Sequence, residues 1–289
     1  MVTRCRVARA APRAGDISAM TPRQEEDLSP LSVVPTTVPL MTELSFWTLP
    51  AETAVRSSHS GEYALTVLDP PLPGSTAELP PHDRARARAF AEAFPTVDAV
   101  LEELPPLPAS EALYAETLSD LDLITVGCWG NVTCISDPAL AAYDAGMTPV
   151  LQEVTTLHER YPEALIVGSA APDFGETHTE DVICLPEGLT LFASGFPAYA
   201  TPWDVDGDPH AILNALDIDL AGLTDDEREY LQLDAAPHLT NWGLLGGLVL
   251  EHCGRKLRTG LETSVFRVRH TEEYTSAMEE MWGWTAHQL

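Results

Sequence analysis

Lysine is almost missing from this chain of 289 residues: Lys256 stands alone beside 15 arginines, and the 16 bases face 44 Asp and Glu for a formal charge of -28. Such an excess of acid excludes a surface built for nucleic-acid phosphate or anionic lipid, because the long-range field of the molecule repels both. Long apolar runs are missing too. The longest, Trp242 to Leu250, has nine residues, whereas a membrane span needs about 20, so no transmembrane helix is expected. The N-terminus carries Arg4, Arg6, Arg9 and Arg13 without an apolar stretch of the ~7 to 15 residues that a secretory signal requires. A cytoplasmic protein is expected. The five cysteines (Cys5, Cys128, Cys134, Cys184 and Cys253) are then expected to be reduced rather than paired.

The common signatures of cofactor and nucleophile chemistry are also absent. Gly243-Leu244-Leu245-Gly246-Gly247 has neither the strand-to-helix setting nor the Lys of a phosphate cradle, and no serine elbow, dinucleotide fingerprint or paired-His metal helix occurs. No cofactor is expected.

What is there begins with the uneven placement of charge. Residues 1 to 40 hold five Arg against Asp16, Glu25, Glu26 and Asp27, and the other 249 residues hold 40 acids and 11 bases. The first 40 residues are rich in Pro, Ser, Thr and Arg, with no apolar period, and read as a disordered leader. Patterned sequence starts at Met41, where the native protein is expected to begin. Residues 41–289 read as a single globular domain, long enough to bury about 75% of its unfolded surface.

Short apolar runs bounded by turn residues alternate with helical patterns, which predicts an α/β (or α+β) fold: a mixed β-sheet with hairpins, flanked by helices. Strands are expected at 44–47, 62–68, 121–128, 132–135, 164–168, 182–185, 190–193 and 264–269. Trp129-Gly130-Asn131 and Pro186-Glu187-Gly188 supply hairpin turns. Asp137-Pro138, Thr148-Pro149 and Asp208-Pro209 place a capping oxygen before a proline at a first helical position, and Thr224 with Glu227 forms a capping box. Further helices are expected at 82–94, 96–104, 110–118, 238–252 and 272–282, with Pro-rich linkers at 70–81 and 105–108.

Several residues carry candidate chemistry. Cys128 ends a strand, where a side chain can be presented above a sheet, and His158 or His178 would be the base that a thiol nucleophile needs. Gly127-Cys128-Trp129-Gly130 resembles the Cys-Trp pair of papain-like proteases over two residues, without the preceding Cys-Gly, and implies no catalytic role here. The loop after the strand at 164–168 gathers Asp173, Glu176, His178, Glu180 and Asp181. Sites collect beyond strand ends in α/β sheets, and a His among carboxylates suits acid–base work or a metal. Cys128, Cys134, His178 and Cys184 are the only thiol-bearing metal set, at a spacing unlike structural zinc. Asp204, Asp206 and Asp208 resemble a calcium loop, but Pro209 and Ala215 occupy the Gly and Glu positions that an EF-hand requires, so no metal is assigned. Arg255, Lys256, Arg258, Arg267 and Arg269 form a basic island able to take an anion or to pair with the chain's own acids.

The functional expectation is a non-catalytic interaction module, of immunity or regulatory type, whose acidic surface meets a basic protein. The alternative is a small-molecule hydrolase or transferase using the 173–181 acidic loop with Cys128. A third reading uses the Met and Trp stripe of the last helix for self-association.

Overall fold

A computed structural model of the protein describes residues 45–56, 62–72, 79–142, 147–172, 178–197, 199, 203–253 and 261–283. All of these belong to one compact unit, 44–289. The expected leader lies outside the described residues.

In chain order the elements are β1 (Glu62–Leu68), α1 (Arg84–Glu92), β2 (Val97–Pro108), β3 (Leu123–Trp129), β4 (Val132–Ser136), α2 (Pro149–Arg160), β5 (Leu165–Ala171), β6 (Thr179–Cys184), β7 (Thr190–Gly195), β8 (Asp204–Asp206), α3 (Pro209–Ala215), α4 (Asp225–Leu231), α5 (Trp242–His252), β9 (Glu262–His270) and α6 (Glu272–Trp282). The strands form one nine-stranded sheet in the order β2-β9-β3-β4-β1-β5-β6-β7-β8. The expected class, strands with hairpins and flanking helices, is the one found.

Strand direction is uniform where a mixed sheet was expected, since every neighbouring pair is antiparallel. The reason lies in how the helical crossover is used. α2 carries the chain from β4 to a parallel β5, but β1 is inserted between them and runs against both. The crossover is split, so no parallel pair is in contact.

Alternation along the strands divides the core into two faces. On the first, Tyr63, Leu65 and Val67 of β1 meet α1, α2 and α6 through Phe90, Val154, Leu157, Tyr274, Met278 and Trp282. On the second, Leu165 and Val167 of β5 meet α3, α4 and α5 through Ile212, Leu231, Trp242, Leu245 and Val249. The last helix therefore spends its Met and Trp stripe on the core, with Met278 and Trp282 fully buried. That packing removes the stripe as a surface for self-association.

Most turns and caps follow the sequence, although Thr148 makes no side-chain capping hydrogen bond at the start of α2. Gly130 and Gly188 have φ of 62° and 79° at the two hairpin turns, a left-handed backbone that glycine adopts without steric cost. Asp208 accepts the His210 amide hydrogen at the start of α3, and Thr224 with Glu227 closes the capping box of α4. Asp137 caps only a short 3-10 turn, Pro138–Ala141.

Four expected segments are replaced. Residues 97–104 of the helix expected at 96–104, and 105–108, expected to be a linker, are all part of β2. Residues 110–118 are irregular until a 3-10 turn at Leu118–Asp120, because tertiary partners take their backbone groups: the Val55 amide donates to the Glu116 carbonyl and the Leu118 amide to the Thr53 carbonyl. The expected strand at 44–47 is a 3-10 turn, Phe46–Thr48, in its described part.

Candidate functional site

The second face of the sheet carries a row of small side chains. Cross-strand register sets Thr125 of β3 opposite Ser136 of β4, Ser136 opposite Ala64 of β1, Ala64 opposite Ser169 of β5, and Ser169 opposite Asp181 of β6. Their short side chains leave open space above the sheet along this row. Gly243, Gly246 and Gly247 of α5 border the row on one side, and a hypothetical Cβ on Gly243 would lie 3.6 Å from Asp181 Oδ1.

Above the β5–β6 end opens a cleft of about 580 Å³ lined by Glu62, Ser169, Asp181, Trp203, Tyr230 and Trp242, with the exposed side chains of Tyr230 and Leu239 at its edge. Its floor continues inward as a narrow section of about 130 Å³ over Ala64 and Thr66. No Lys or Arg lines either section among the described residues. Asp181 is the deepest charge, with 9% of its surface exposed. Its Oδ1 accepts from Ser169 Oγ at 2.7 Å, and no described donor reaches its Oδ2. Burial pushes this carboxyl up to about 7, the Ser169 hydrogen bond opposes the shift, and the nearby Glu62 carboxylate adds to it. Trp203 packs over Gly195, where a Cβ would come within 2.5 Å of the indole, so a glycine is what admits the ring; its Nε1 is buried without an acceptor among the described residues.

The other sequence candidates are placed elsewhere. Cys128 is fully buried on β3, with β4, β1 and β5 between it and the β6 edge where His178 sits. The proposed nucleophile and base are therefore on different parts of the sheet. Burial also raises the Cys128 thiol, which the Thr133 hydrogen bond only partly offsets, so the thiolate is disfavoured. His178 is buried against Phe196 and Ser194, with its Nε2 3.0 Å from Ser194 Oγ, and burial lowers it to about 4. It is neutral at ordinary pH. Asp173 and Glu176 lie outside the described residues, as do Arg255, Lys256 and Arg258.

The remaining candidates are committed to structure. Cys134 packs with the second face and Cys128 with the first, because Cys128 pairs in register with Thr133 and Cys134 with Gly127. The two thiols cannot meet across the hairpin, and Cys128, Cys134, Cys184 and Cys253 are not joined in disulfides. Among the described residues no three His, Cys, Asp or Glu gather as a metal site. Asp204 and Asp206 point outward from β8, on either side of a partly buried Val205, and Asp208 is the α3 cap. Arg269 pairs with Asp98 at 2.6 Å, and Arg267 with Glu102 at 3.9 Å and the Ser119 carbonyl at 3.1 Å. Within the described part of the basic island, the arginines are thus taken by the chain's own acceptors. Arg86 ties Asp69, Thr133 and the Gly130 carbonyl together.

One arrangement had no sequence signal. His82 accepts the Cys128 amide hydrogen at Nδ1 (3.1 Å), and its Nε2 lies 2.9 Å from Ser264 Oγ. A backbone N–H can only donate, so neutral His82 carries its proton on Nε2 and gives it to Ser264. That tautomer leaves no lone pair to accept the serine proton, and the pair works as a clamp between β3 and β9.

No helix among the described residues is long and apolar enough to cross a membrane. Residues 46–285 match the model of a family described as "Family of unknown function (DUF6333)". No curated protein and no solved structure matches the chain.

Proposed function

Because the chain belongs to this family of unknown function, we propose from its geometry alone that the protein is a non-catalytic binding module, of regulatory or immunity type, whose cleft receives a cationic group of a basic partner. The observation that carries this reading is Asp181, a nearly buried carboxyl in a cleft that also holds Glu62, Trp203, Tyr230, Trp242 and His238 and, among the described residues, no Lys or Arg. A carboxylate at the bottom of an aromatic-walled cleft attracts a guanidinium or ammonium twice, by direct pairing and through the ring faces. The net charge of -28 draws basic partners from a distance and repels nucleic acid.

Binding of acetyl-arginine amide, followed by calorimetry in 50 mM NaCl, tests the proposal. Asp181→Asn and Glu62→Gln should each weaken binding about tenfold or more, while Glu159→Gln on the opposite face should leave it within twofold. Wild-type affinity should rise between pH 6 and pH 8, because the carboxylate that pairs with the cation forms as pH passes about 7. Equal losses in all three variants, or no binding at any pH, would refute the reading. The hydrolase or transferase alternative retains Asp181 as an acid or base titrating near neutrality; turnover of an ester or amide probe that disappears in Asp181→Asn would favour it instead.

A further inference from the structure

The cleft does not end at Asp181. A further opening of about 350 Å³ lies over the β1, β4 and β3 strands, lined by Glu62, Ala64, Glu111, Tyr114, Thr125 and Ser136 among others. Glu62 and Ala64 line both this opening and the narrow section above β5, so the two ends are continuous across β1. Three carboxylates, Glu111, Glu62 and Asp181, follow one another along the path, and no Lys or Arg lines any part of it among the described residues. Exposed aromatic rings stand at each end, Tyr114 at one and Tyr230 at the other.

The geometry points to a trough that binds an extended basic segment of a partner protein, lying across β3, β4, β1, β5 and β6 with its cationic side chains at Glu111, Glu62 and Asp181. This rests on the reading of the cleft as cation-accepting and specifies what enters it. From β3 to β6 there are four strand intervals, or roughly 19 Å at about 4.8 Å each. An extended chain covers that length in about six residues. The row of Thr125, Ser136, Ala64 and Ser169 leaves room for a backbone along the floor, and its hydroxyls offer hydrogen bonds to the peptide groups. The Asp181 oxygen that no described donor reaches faces the end of this path, where an arginine or lysine would satisfy it. Spacing along the path, more than total charge, then selects the partner.

Fluorescence anisotropy with labelled hexa-arginine, beside calorimetry with acetyl-arginine amide, tests the trough in the full chain. Ser136→Phe, at a position that lines the opening over β3, β4 and β1 but not the cleft, blocks the trough without changing any charge. It should weaken hexa-arginine at least tenfold and leave acetyl-arginine amide within twofold, and Thr125→Phe should act in the same way should Ser136→Phe fail to fold. Glu111→Gln should weaken hexa-arginine several-fold more than Glu159→Gln does. Hexa-arginine binding that ignores both blocking substitutions would overturn the trough while leaving the cleft intact. Loss of acetyl-arginine amide binding alone would instead take away the cleft reading. A dimer that Ser136→Phe dissociates would assign the trough to a second copy. Hexa-arginine binding that strengthens when Arg4, Arg6, Arg9 and Arg13 are replaced by Gln would assign it to the chain's own N-terminus. Either of these last results overturns the proposal.

Discussion

Buried carboxyls are handled in two opposite ways in this molecule. Asp137 is fully buried, and burial alone would raise it, but His270 at 3.0 Å, the Thr96 hydroxyl and the Ala139 amide outweigh that and hold it below the ordinary range. His270 is raised in turn, since the Asp137 carboxylate overcomes the burial that disfavours its charge. The stabilisation from Asp137 is present above its unfolded value and lost as pH falls through the folded one, and that from His270 is present below its unfolded value and lost as pH rises through the folded one. Glu153 is the contrary case. It accepts only the Tyr274 hydroxyl, its Oε2 has no partner among the described residues, and burial lifts it from 4.5 to about 7. A carboxyl that holds its proton more tightly when folded stabilises fully below 4.5, and that contribution is lost as pH rises through about 7. Over this window the loss is roughly 3 kcal/mol. Glu153→Gln should therefore flatten the fall in stability between pH 5 and pH 8 while keeping an acceptor for Tyr274, and urea unfolding at the two pH values measures it. An unchanged slope would show that Glu153 does not titrate in this range.

At the scale of elements, β2 explains both a misreading and a constraint. Val97, Val100, Leu101 and Leu104 have helical spacing, yet the segment is a strand whose register shifts between Val97 and Ala99, Val100 and Glu102, and Leu104 and Leu107. Each bulge adds a residue, so inward positions recur about every three and imitate a helix. Pro105, Pro106 and Pro108 are tolerated because β2 is an edge strand. By contrast β1 and α6 were legible to the residue: β1 keeps its apolar positions in regular alternation, and α6 places Tyr274, Met278 and Trp282 one turn apart on the core. Of the candidate site, only Asp181 could be read from the chain. Glu62, Ser169 and Thr125 join it through pairing register, which spacing along the sequence does not encode. Register also fixes the tolerance of β3, where a Cβ on Gly127 would fall 2.0 Å from the Trp129 indole. Gly127→Ala must displace that ring and its hydrogen bond to the Glu262 carbonyl, at about 3 kcal/mol for an overpacked core position. Gly222→Ala, with nothing within 4 Å, should change the urea midpoint by a small fraction of that. Similar midpoints for the two variants would contradict the packing at Trp129.

For the molecule as a whole, the proposed recognition of a basic partner and the stability of the fold would pull against each other through the same charge. Bases on α1 and β9 are already spent on local acids, as Arg84 on Glu103, Arg86 on Asp69 and Arg269 on Asp98 show, so most of the acidic excess repels itself. Some of it is placed badly for folding. Glu159 lies in the last turn of α2, Glu163 just beyond it, and Glu187 in a hairpin whose Gly188 approaches His158 of the same turn; the carbonyl end of a helix disfavours negative charge. Keeping such residues makes sense where the field serves to attract a basic partner from afar. Salt separates the two roles because screening shortens from about 10 Å at 0.1 M to about 3 Å at 1 M. Thermal melting should move up by several degrees over that range of NaCl, while hexa-arginine binding weakens by more than tenfold. Replacing Glu159, Glu163 and Glu187 together by Gln should raise the melting temperature at 0.1 M and shrink its response to salt, leaving the affinity at the cleft nearly unchanged. A triple variant that melts no higher than the parent would mean that these carboxylates are compensated after all, and that acidity costs the fold nothing there.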